Sequence, residues 1–163
     1  MYTMLQRTRK PRHEPAAGDP NRLLLYHVWR AENSFSRTLE DALRPLGISI
    51  AQCGVLFHLD LLGPLSAADL SRLIHHTPQG IASTVRRLDA LGWIDRRPHP
   101  IHGRIVVLTL TEEGKRALDD AMSVADEVEA FVTEGLSKAD RAALTRVLDH
   151  MQERALRRTA PEN

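Results

Sequence analysis

The segment Ser66–Leu110 restricts the possible folds of this chain more than any other part of it. Its pattern predicts a short helix, a tight turn, a second helix and a two-stranded ribbon. Ser66 can cap the first helix, and Asp69 stands three residues later, close to a capping-box arrangement. A helix pair of this kind is typical of the helix-turn-helix unit, whose second helix enters the major groove of DNA. The ribbon behind it corresponds to a wing.

The second helix, which we call the reading helix, has two chemically different faces. Thr77 can cap its first turn, and Pro78 suits its first position. At about 100° per residue, one face collects the apolar residues Ile81, Val85 and Leu88. The opposite face is polar, cationic and free of acids, and collects Gln79, Ser83, Arg86, Arg87 and Ala90. Glutamine can bridge the edge of adenine and arginine can bridge guanine or hold a phosphate, so this face predicts contact with DNA.

The ribbon consists of two strand-like runs, Trp93–Arg97 and Arg104–Leu110, joined by the turn sequence PHPIHG. Three arginines and two histidines cluster there, directly after the cationic helix. Such a cluster favours an element that binds phosphate or the minor groove over a merely solvated surface. The predicted DNA contacts of the reading helix and the wing are Thr77, Gln79, Ser83, Arg86, Arg87, Arg96, Arg97, His99, His102 and Arg104.

The chain resembles the MarR family of winged helix-turn-helix transcription regulators over roughly residues 23–151. The runs STVRRLDALGWIDRRPHP and GRIVVLTLTEEG carry the resemblance most specifically. Both acids that the family usually places in the wing loop are missing, and His99 and His102 stand in their positions. In the family the second acid usually braces an arginine, an ion pair that a neutral histidine cannot form. The resemblance implies a dimeric repressor that releases DNA when a small molecule binds or a thiol oxidises.

The composition of the chain excludes some classes of protein and favours others. The formal net charge of the 163 residues is only +1, so affinity for DNA has to come from local clustering of cations. A single cysteine, Cys53, excludes an internal disulfide framework and is typical of a reducing cytosol. No apolar run approaches the ~20 residues of a membrane span, and no Gly-rich phosphate loop or nucleophile motif indicates an enzyme. We expect a cytoplasmic protein without catalytic activity, cofactor or membrane contact.

The sequence predicts a mainly α fold with a small β wing, in which dimerisation helices flank the winged helix-turn-helix domain on both sides. The polar composition of the two tails predicts that they are disordered. The basic N-terminal tail is either solvated or a source of phosphate contacts. The predicted segments are the tail 1–18, the N-terminal dimerisation helix 19–46, the winged helix-turn-helix domain 47–111, the C-terminal dimerisation helices 112–157 and the tail 158–163.

Two more apolar faces complete the predicted core. One helix begins with a capping box formed by Ser49 and Gln52, and its core face holds Val55, Leu56, Leu59 and Leu62. The first helix of the helix-turn-helix pair has a core face that holds Leu70, Leu73 and Ile74.

The outer helices carry more apolar surface than one small domain can cover. The first helix is expected to start at Asp19 and Pro20, and its apolar stripe is unusually wide. A second stripe runs from Ala117 to Val132. Burying these stripes against the same helices of a second copy is the economical solution, so we expect a homodimer. Its two-fold axis would place the reading helices one DNA turn apart, ~34 Å, which predicts a pseudo-palindromic site.

A ligand pocket is expected where the first helix, the helix after it and the reading helix converge. Aromatic walls with one or two cations suit an aromatic carboxylate or a phenol. Trp29 is equally compatible with the core of the dimer. The candidate ligand-binding residues are Tyr26, His27, Trp29, Arg30, His58 and Arg86.

Two other chemistries are less consistent with the residues. Cys53 fits a redox sensor or a core position, and the absence of an adjacent cation and of a partner cysteine favours the core. The histidines lack the spacing of a metal pair on a helix, so we expect no metal site.

The sequence is compatible with two functions. The first is a homodimeric repressor that binds double-stranded DNA and is released by a small aromatic or phenolic ligand. The alternative is a ligand-binding or protein-interaction module that retains the winged-helix fold without strong operator binding, and the missing wing acids motivate it.

Overall fold

The computed structural model describes residues 23–74 and 76–159, which divide after Arg37 into two compact units. The described residues form six helices and a small sheet, which confirms the predicted mainly α fold. The helices are α1 (Leu24–Leu43), α2 (Ile50–Leu62), α3 (Ala67–Leu73), α4 (Pro78–Ala90), α5 (Glu112–Val132) and α6 (Lys138–Thr159). The strands are β1 (Leu65–Ser66), β2 (Ile94–Pro98) and β3 (Val106–Leu110).

The first unit contains most of α1, and its large apolar side chains are exposed. The predicted start of this helix at Asp19 and Pro20 lies outside the described residues. The exposed apolar side chains of this part of α1 include Leu24, Leu25, Trp29 and Phe35. Asn33 donates to the Trp29 carbonyl at 2.7 Å, and Ser36 donates to Glu32 at 2.8 Å, and both contacts are within one turn of the helix.

Helices α2, α3 and α4 begin where the sequence predicts caps, and α5 and α6 are capped as well. In α2, Ser49 Oγ accepts from the backbone N–H of Gln52, and Gln52 Oε1 accepts from the backbone N–H of Ser49. Ser66 and Asp69 make the same reciprocal pair at the start of α3. Hydroxyls of Thr77, Thr111 and Ser137 accept from the first turns of α4, α5 and α6 in the same way. These contacts satisfy N–H groups that a helix leaves unpaired at its start.

The sheet has three antiparallel strands in the order β1-β3-β2, rather than the two that the sequence predicts. In the ribbon, Ile94 pairs with Leu110 and Pro98 with Val106. The additional strand β1 is only two residues long and pairs Leu65 with Leu108. It connects the beginning of α3 to the wing, so the helix-turn-helix pair and the ribbon share one sheet.

The core of the second unit lies between α2, α3, α4, the sheet and α5. Its fully buried members come from each of these elements and include Leu56, Leu70, Ile81, Leu88 and Leu108. Two predicted core positions are wrong, because Leu62 is 52% exposed and Leu73 is 43% exposed. Both stand in the last turn of their helices, where the apolar stripe has already passed the edge of the core.

A tight corner joins the end of α4 to the start of α5. The Thr111 hydroxyl donates to the Gly92 carbonyl at 2.7 Å, and the Thr111 N–H donates to the Trp93 carbonyl at 3.2 Å. Gly114 is buried beneath this corner, and a methyl group there would lie 2.9 Å from the carbonyl carbon of Trp93. Only glycine fits that space, so α5 can lie directly against the chain that enters the wing.

The end of α5 and the whole of α6 cover little of this core. No residue of α6 whose side chain is described is buried, and α6 continues to Thr159, two residues into the predicted C-terminal tail. The boundaries predicted for the segments remain predictions. Among residues 23–74 and 76–159, no single helix has the length and apolar composition to cross a membrane; Leu24–Leu46 and Ile50–Leu62 meet that criterion only as a bent pair taken together.

Candidate nucleic-acid interface

Helix α4 presents the polar face that the sequence predicts. Its opposite face is fixed in the core by Ile81, Val85 and Leu88. The side chains expected to approach bases or phosphates, namely Gln79, Ser83, Arg86 and Arg87, are all exposed. Thr77 is exposed as well and caps the helix by accepting from the Gly80 N–H at 3.1 Å.

An exposed acid flanks the predicted outer face of α4 at its last turn. Asp89 is exposed there and accepts from Arg96 Nε on β2 at 2.8 Å. On the same strand, Arg97 pairs with Asp95 at 3.2 Å. Two of the three wing arginines therefore have a carboxylate partner inside the protein. Because the pairs are largely exposed, each is worth less than about 1 kcal/mol and can exchange for a phosphate.

Three arginines of the predicted interface have no salt-bridge partner within the described part of the chain. They are Arg86 and Arg87 on α4 and Arg104 in the wing loop, and all are exposed. An exposed guanidinium without a carboxylate keeps its full charge and five donors for an anion. The cationic character of this surface comes chiefly from these three residues.

The wing loop is closed by the side chain of His99. Its Nδ1 accepts hydrogen bonds from the backbone N–H groups of Ile101 at 3.2 Å and His102 at 3.1 Å. The backbone N–H of His99 also donates to the Ile105 carbonyl at 2.7 Å. The rings of His99 and His102 stack with their centroids 5.2 Å apart. Although neither histidine can form the family's ion pair, one of them supplies the loop with a hydrogen-bond acceptor.

A polar cleft next to α4 involves residues that the sequence analysis did not select. Ser49 and Gln52 from the start of α2 line it together with Ser83, Thr84 and Arg87 from α4. None of the described residues that line the cleft carries a carboxylate, and Gln52 is only 6% exposed, held by its bond to the Ser49 N–H. Hydroxyls, an amide and a guanidinium suit an anionic oxygen such as that of a phosphate. The capping box was visible in the sequence, but its proximity to the reading helix was not.

The candidate ligand-binding residues belong to both units, so the pocket remains a prediction. Within the first unit, the rings of Tyr26 and Trp29 stack at 5.8 Å, and Arg30 lies 5.7 Å from the centre of the Tyr26 ring. The ring of His27 meets that of Tyr26 edge-on at 6.4 Å. In the second unit, His58 Nδ1 lies 2.7 Å from the Gly54 carbonyl oxygen, within its own helix.

Cys53 packs against the core, as the sequence favours. Burial raises the pKa of its thiol above the usual value, because desolvation disfavours the thiolate. A thiol of this kind is a poor nucleophile and a poor redox sensor at neutral pH. Among the residues that the structure describes, no group of three histidine, cysteine or acidic side chains is arranged to hold a metal ion.

Comparison with known proteins places the winged region among transcription regulators. The model of the MarR family matches residues 46–105. The HTH-type transcriptional repressor Rv2887 of Mycobacterium tuberculosis is 27% identical over 126 residues, which cover 77% of this chain and 91% of that protein. That relative is a transcriptional repressor.

Solved structures confirm the fold. The repressor CouR, solved bound to a 23-mer DNA duplex, matches with a TM-score of 0.76 at 24% identity, covering 83% of this chain and 96% of the other. BpsR of Bordetella bronchiseptica, whose DNA binding is regulated by 6-hydroxynicotinic acid, matches with a TM-score of 0.73 at 22% identity, covering 80% and 93%. These likenesses extend the match beyond the winged region to most of the chain.

Proposed function

We propose, from the match of its winged region to the MarR family of winged-helix regulators, that the chain is a member of this family and a transcriptional repressor that binds a specific sequence of double-stranded DNA. The observation that carries the proposal is the exposed surface of α4 and the wing, where Arg86, Arg87 and Arg104 have no salt-bridge partner among the described residues. A net charge of +1 gives no general affinity for DNA, so a local surface of this kind has to supply it.

In this proposal, the two parts of the surface have different tasks. Gln79, Ser83 and Arg87 on α4 approach base edges in the major groove, and Arg86 contacts bases or the ligand. Arg104 on the wing holds a phosphate or enters the minor groove. Arg96 and Arg97 contribute after exchanging their carboxylate partners for phosphates. Both wing-loop acids are missing, but the turn closed by His99 gives the wing an ordered loop, which supports operator binding over a fold-retaining module without it.

The salt dependence of binding tests the role of the wing. Arg104→Ala should weaken binding to every duplex and reduce the slope of log K against log salt by about one unit, because each phosphate contact releases about 0.9 counterion. Lys138→Ala, at the start of α6, removes the same charge outside the surface and should leave the slope unchanged. Fluorescence anisotropy across a salt series measures both. Equal slopes for Arg104→Ala and the wild type would contradict the wing assignment.

We further propose that the repressor is a homodimer. The support lies in the large apolar side chains that the described residues leave exposed on the outer helices, among them Phe131, which is 72% exposed, and Leu144, Val147 and Leu148 on α6. Exposed apolar surface on this scale is typical of an interface. Two copies would have a mass of about twice 18.3 kDa and would bind a pseudo-palindromic site.

Light scattering at several concentrations tests the dimer. Phe131→Glu should lower the mass toward that of one chain, because it buries a charge in the apolar interface. Ile101→Glu makes the same change at an equally exposed apolar residue of the wing loop and should leave the mass unchanged. A wild-type mass of one chain at tens of micromolar would refute the homodimer.

The last part of the proposal is that a small aromatic acid or phenol releases the DNA. The support is the contact of Arg30 with the Tyr26 ring beside Trp29, an arrangement of rings and a cation that suits such a molecule. Benzoate and cyclohexanecarboxylate have the same charge but differ in aromaticity. Release by an aromatic acid, and not by its saturated counterpart, is the expected result of a titration of the protein–DNA complex. Equal release by both would refute an aromatic site.

A further inference from the structure

We infer that His99 is the positioning residue of the wing, and that protonation of its Nδ1 opens the wing turn. The inference rests on the proposed DNA-binding function and concerns how the wing is held in place. Two backbone N–H groups, those of Ile101 and His102, converge on this one nitrogen. The same loop is closed from its other side by the bond between the His99 N–H and the Ile105 carbonyl.

The two hydrogen bonds determine the protonation state that the turn requires. A ring nitrogen accepts a hydrogen bond only through its lone pair, so Nδ1 is unprotonated and the ring proton of neutral His99 is on Nε2. An imidazolium has N–H groups on both nitrogens and no acceptor. A carboxylate in this position would remain an acceptor down to strongly acidic pH. The replacement of an acid by an imidazole therefore makes the acceptor of the turn sensitive to protonation of the ring.

The charged groups described around His99 are basic or already paired. His102 stacks on it from within the loop, and Arg97 stands on the strand that leads into the loop. Asp69 and Arg72 of α3 line a groove together with His99, but they pair with each other, and Asp69 also binds Ser66. Within the described part of the chain, no carboxylate forms a salt bridge with His99. Protonation would therefore add a cation next to basic neighbours and remove the acceptor of the turn.

The functional consequence concerns Arg104, which follows the turn in the same loop. A loop without its acceptor has more conformations, and ordering it on DNA costs entropy. A positive charge on His99 by itself would strengthen binding to DNA in acid. Binding that weakens in acid because of His99 therefore runs against the effect of the added charge and indicates loss of the Nδ1 acceptor, which the measurements without DNA assign to the turn.

Three variants separate these effects. His99→Asn keeps a neutral acceptor that can close the same kind of turn and does not titrate. His99→Ala removes the acceptor at every pH. His150→Asn removes a histidine from α6, outside the surface, and controls for the general effect of losing an imidazole. Affinity is measured at pH 7.5 and pH 5.5, at constant ionic strength, for the duplex immediately upstream of the protein's own gene.

At pH 7.5 we expect His99→Ala to bind about tenfold more weakly than the wild type, the effect of two modest hydrogen bonds, and His99→Asn to recover most of that loss. Between pH 7.5 and pH 5.5, the wild type and His150→Asn should lose more affinity than His99→Asn, by at most the roughly tenfold effect of losing the turn. Equal affinities of the alanine and asparagine variants at pH 7.5, or equal pH responses of the wild type and His99→Asn, would overturn the inference.

The turn is also measured without DNA, which separates this inference from the proposed function. Nitrogen-15 spectra of the imidazole should show an unprotonated Nδ1 at pH 7.5, and amide exchange at Ile101 and His102 should accelerate in His99→Ala but not in His99→Asn. A proton on Nδ1 at pH 7.5, or unchanged exchange in the alanine variant, would overturn the role of His99 even if the protein binds its duplex. If the spectra and exchange rates are as expected but the protein does not bind its duplex, the proposed function is refuted and the role of His99 in the turn stands.

Discussion

Gly114 offers the sharpest test of how the wing and α5 are joined. A methyl group at this position would lie 2.9 Å from the carbonyl carbon of Trp93, closer still to its oxygen, and 3.2 Å from Leu110 Cδ2. Carbon atoms in van der Waals contact lie about 3.5–4.0 Å apart. The main obstacle is backbone, which cannot rotate away as a side chain can, and the same carbonyl accepts the Thr111 N–H. Gly114→Ala therefore has to displace α5 from the corner.

Added volume in a packed core costs about 1–3 kcal/mol, and a clash with backbone belongs at the upper end of that range. For a chain of this length, 1 kcal/mol corresponds to roughly 2–4 °C in the melting temperature, so we expect Gly114→Ala to melt about 6–12 °C below the wild type. Circular dichroism of the helices measures this, with all proteins at one concentration because association shifts the midpoint.

Gly103→Ala is the matched control. This glycine lies in the wing loop, no atom stands within 4 Å of the added methyl group, and its backbone is not left-handed. Its melting temperature should stay within about 2 °C of the wild type, as for a surface substitution worth less than ~0.5 kcal/mol. If Gly114→Ala melts together with Gly103→Ala, the corner is not packed as described.

Three further predictions follow from individual contacts. Asp89→Asn should release Arg96 for a phosphate and steepen the salt slope of DNA binding by up to about one unit, and a shallower slope would show that Asp89 orients Arg96 instead. Ellman's reagent should react with Cys53 at least tenfold more slowly in the folded protein than in denaturant, because burial raises the pKa of the thiol; equal rates would place Cys53 at the surface. Ser66→Ala should cost about 1 kcal/mol of unfolding free energy at pH 7. Hydrogen bonds from Ser66 lower the pKa of Asp69, so this stabilisation is present above the ordinary value of ~3.9 and is lost as the pH falls below it. The difference between the two proteins in urea unfolding should narrow in acid; a difference constant down to pH 2 would contradict the assignment.

Local features of the fold could be read from the sequence because they depend on neighbouring residues. The capping boxes of Ser49 and Ser66 need only the residue three positions later. Helical spacing alone identifies the buried face of α4, and the same spacing places the polar residues on the opposite face. The predicted burial of Leu62 and Leu73 is wrong because helical spacing shows which face an apolar residue is on, and not where the neighbouring elements end.

The features that the sequence did not reveal depend on contacts between separate elements. Asp89 and Arg96 meet only because β2 turns back along the end of α4. The strand β1 is too short to show a pattern and exists through its pairing with β3. The sequence shows His99 only as the residue that replaces the first of the two wing-loop acids. Its role as a backbone acceptor depends on the conformation of the loop.

The central claim, that α4 and the wing bind a specific DNA sequence, is tested most directly by one comparison of affinities. The affinity of the protein for a labelled duplex with the DNA upstream of its own gene is measured by anisotropy, in competition with a random duplex at several salt concentrations. We predict that the upstream duplex binds at least ~10³-fold more tightly at physiological salt. Equal, weak and salt-sensitive binding to both duplexes would contradict the claim, because phosphate contacts alone produce that behaviour.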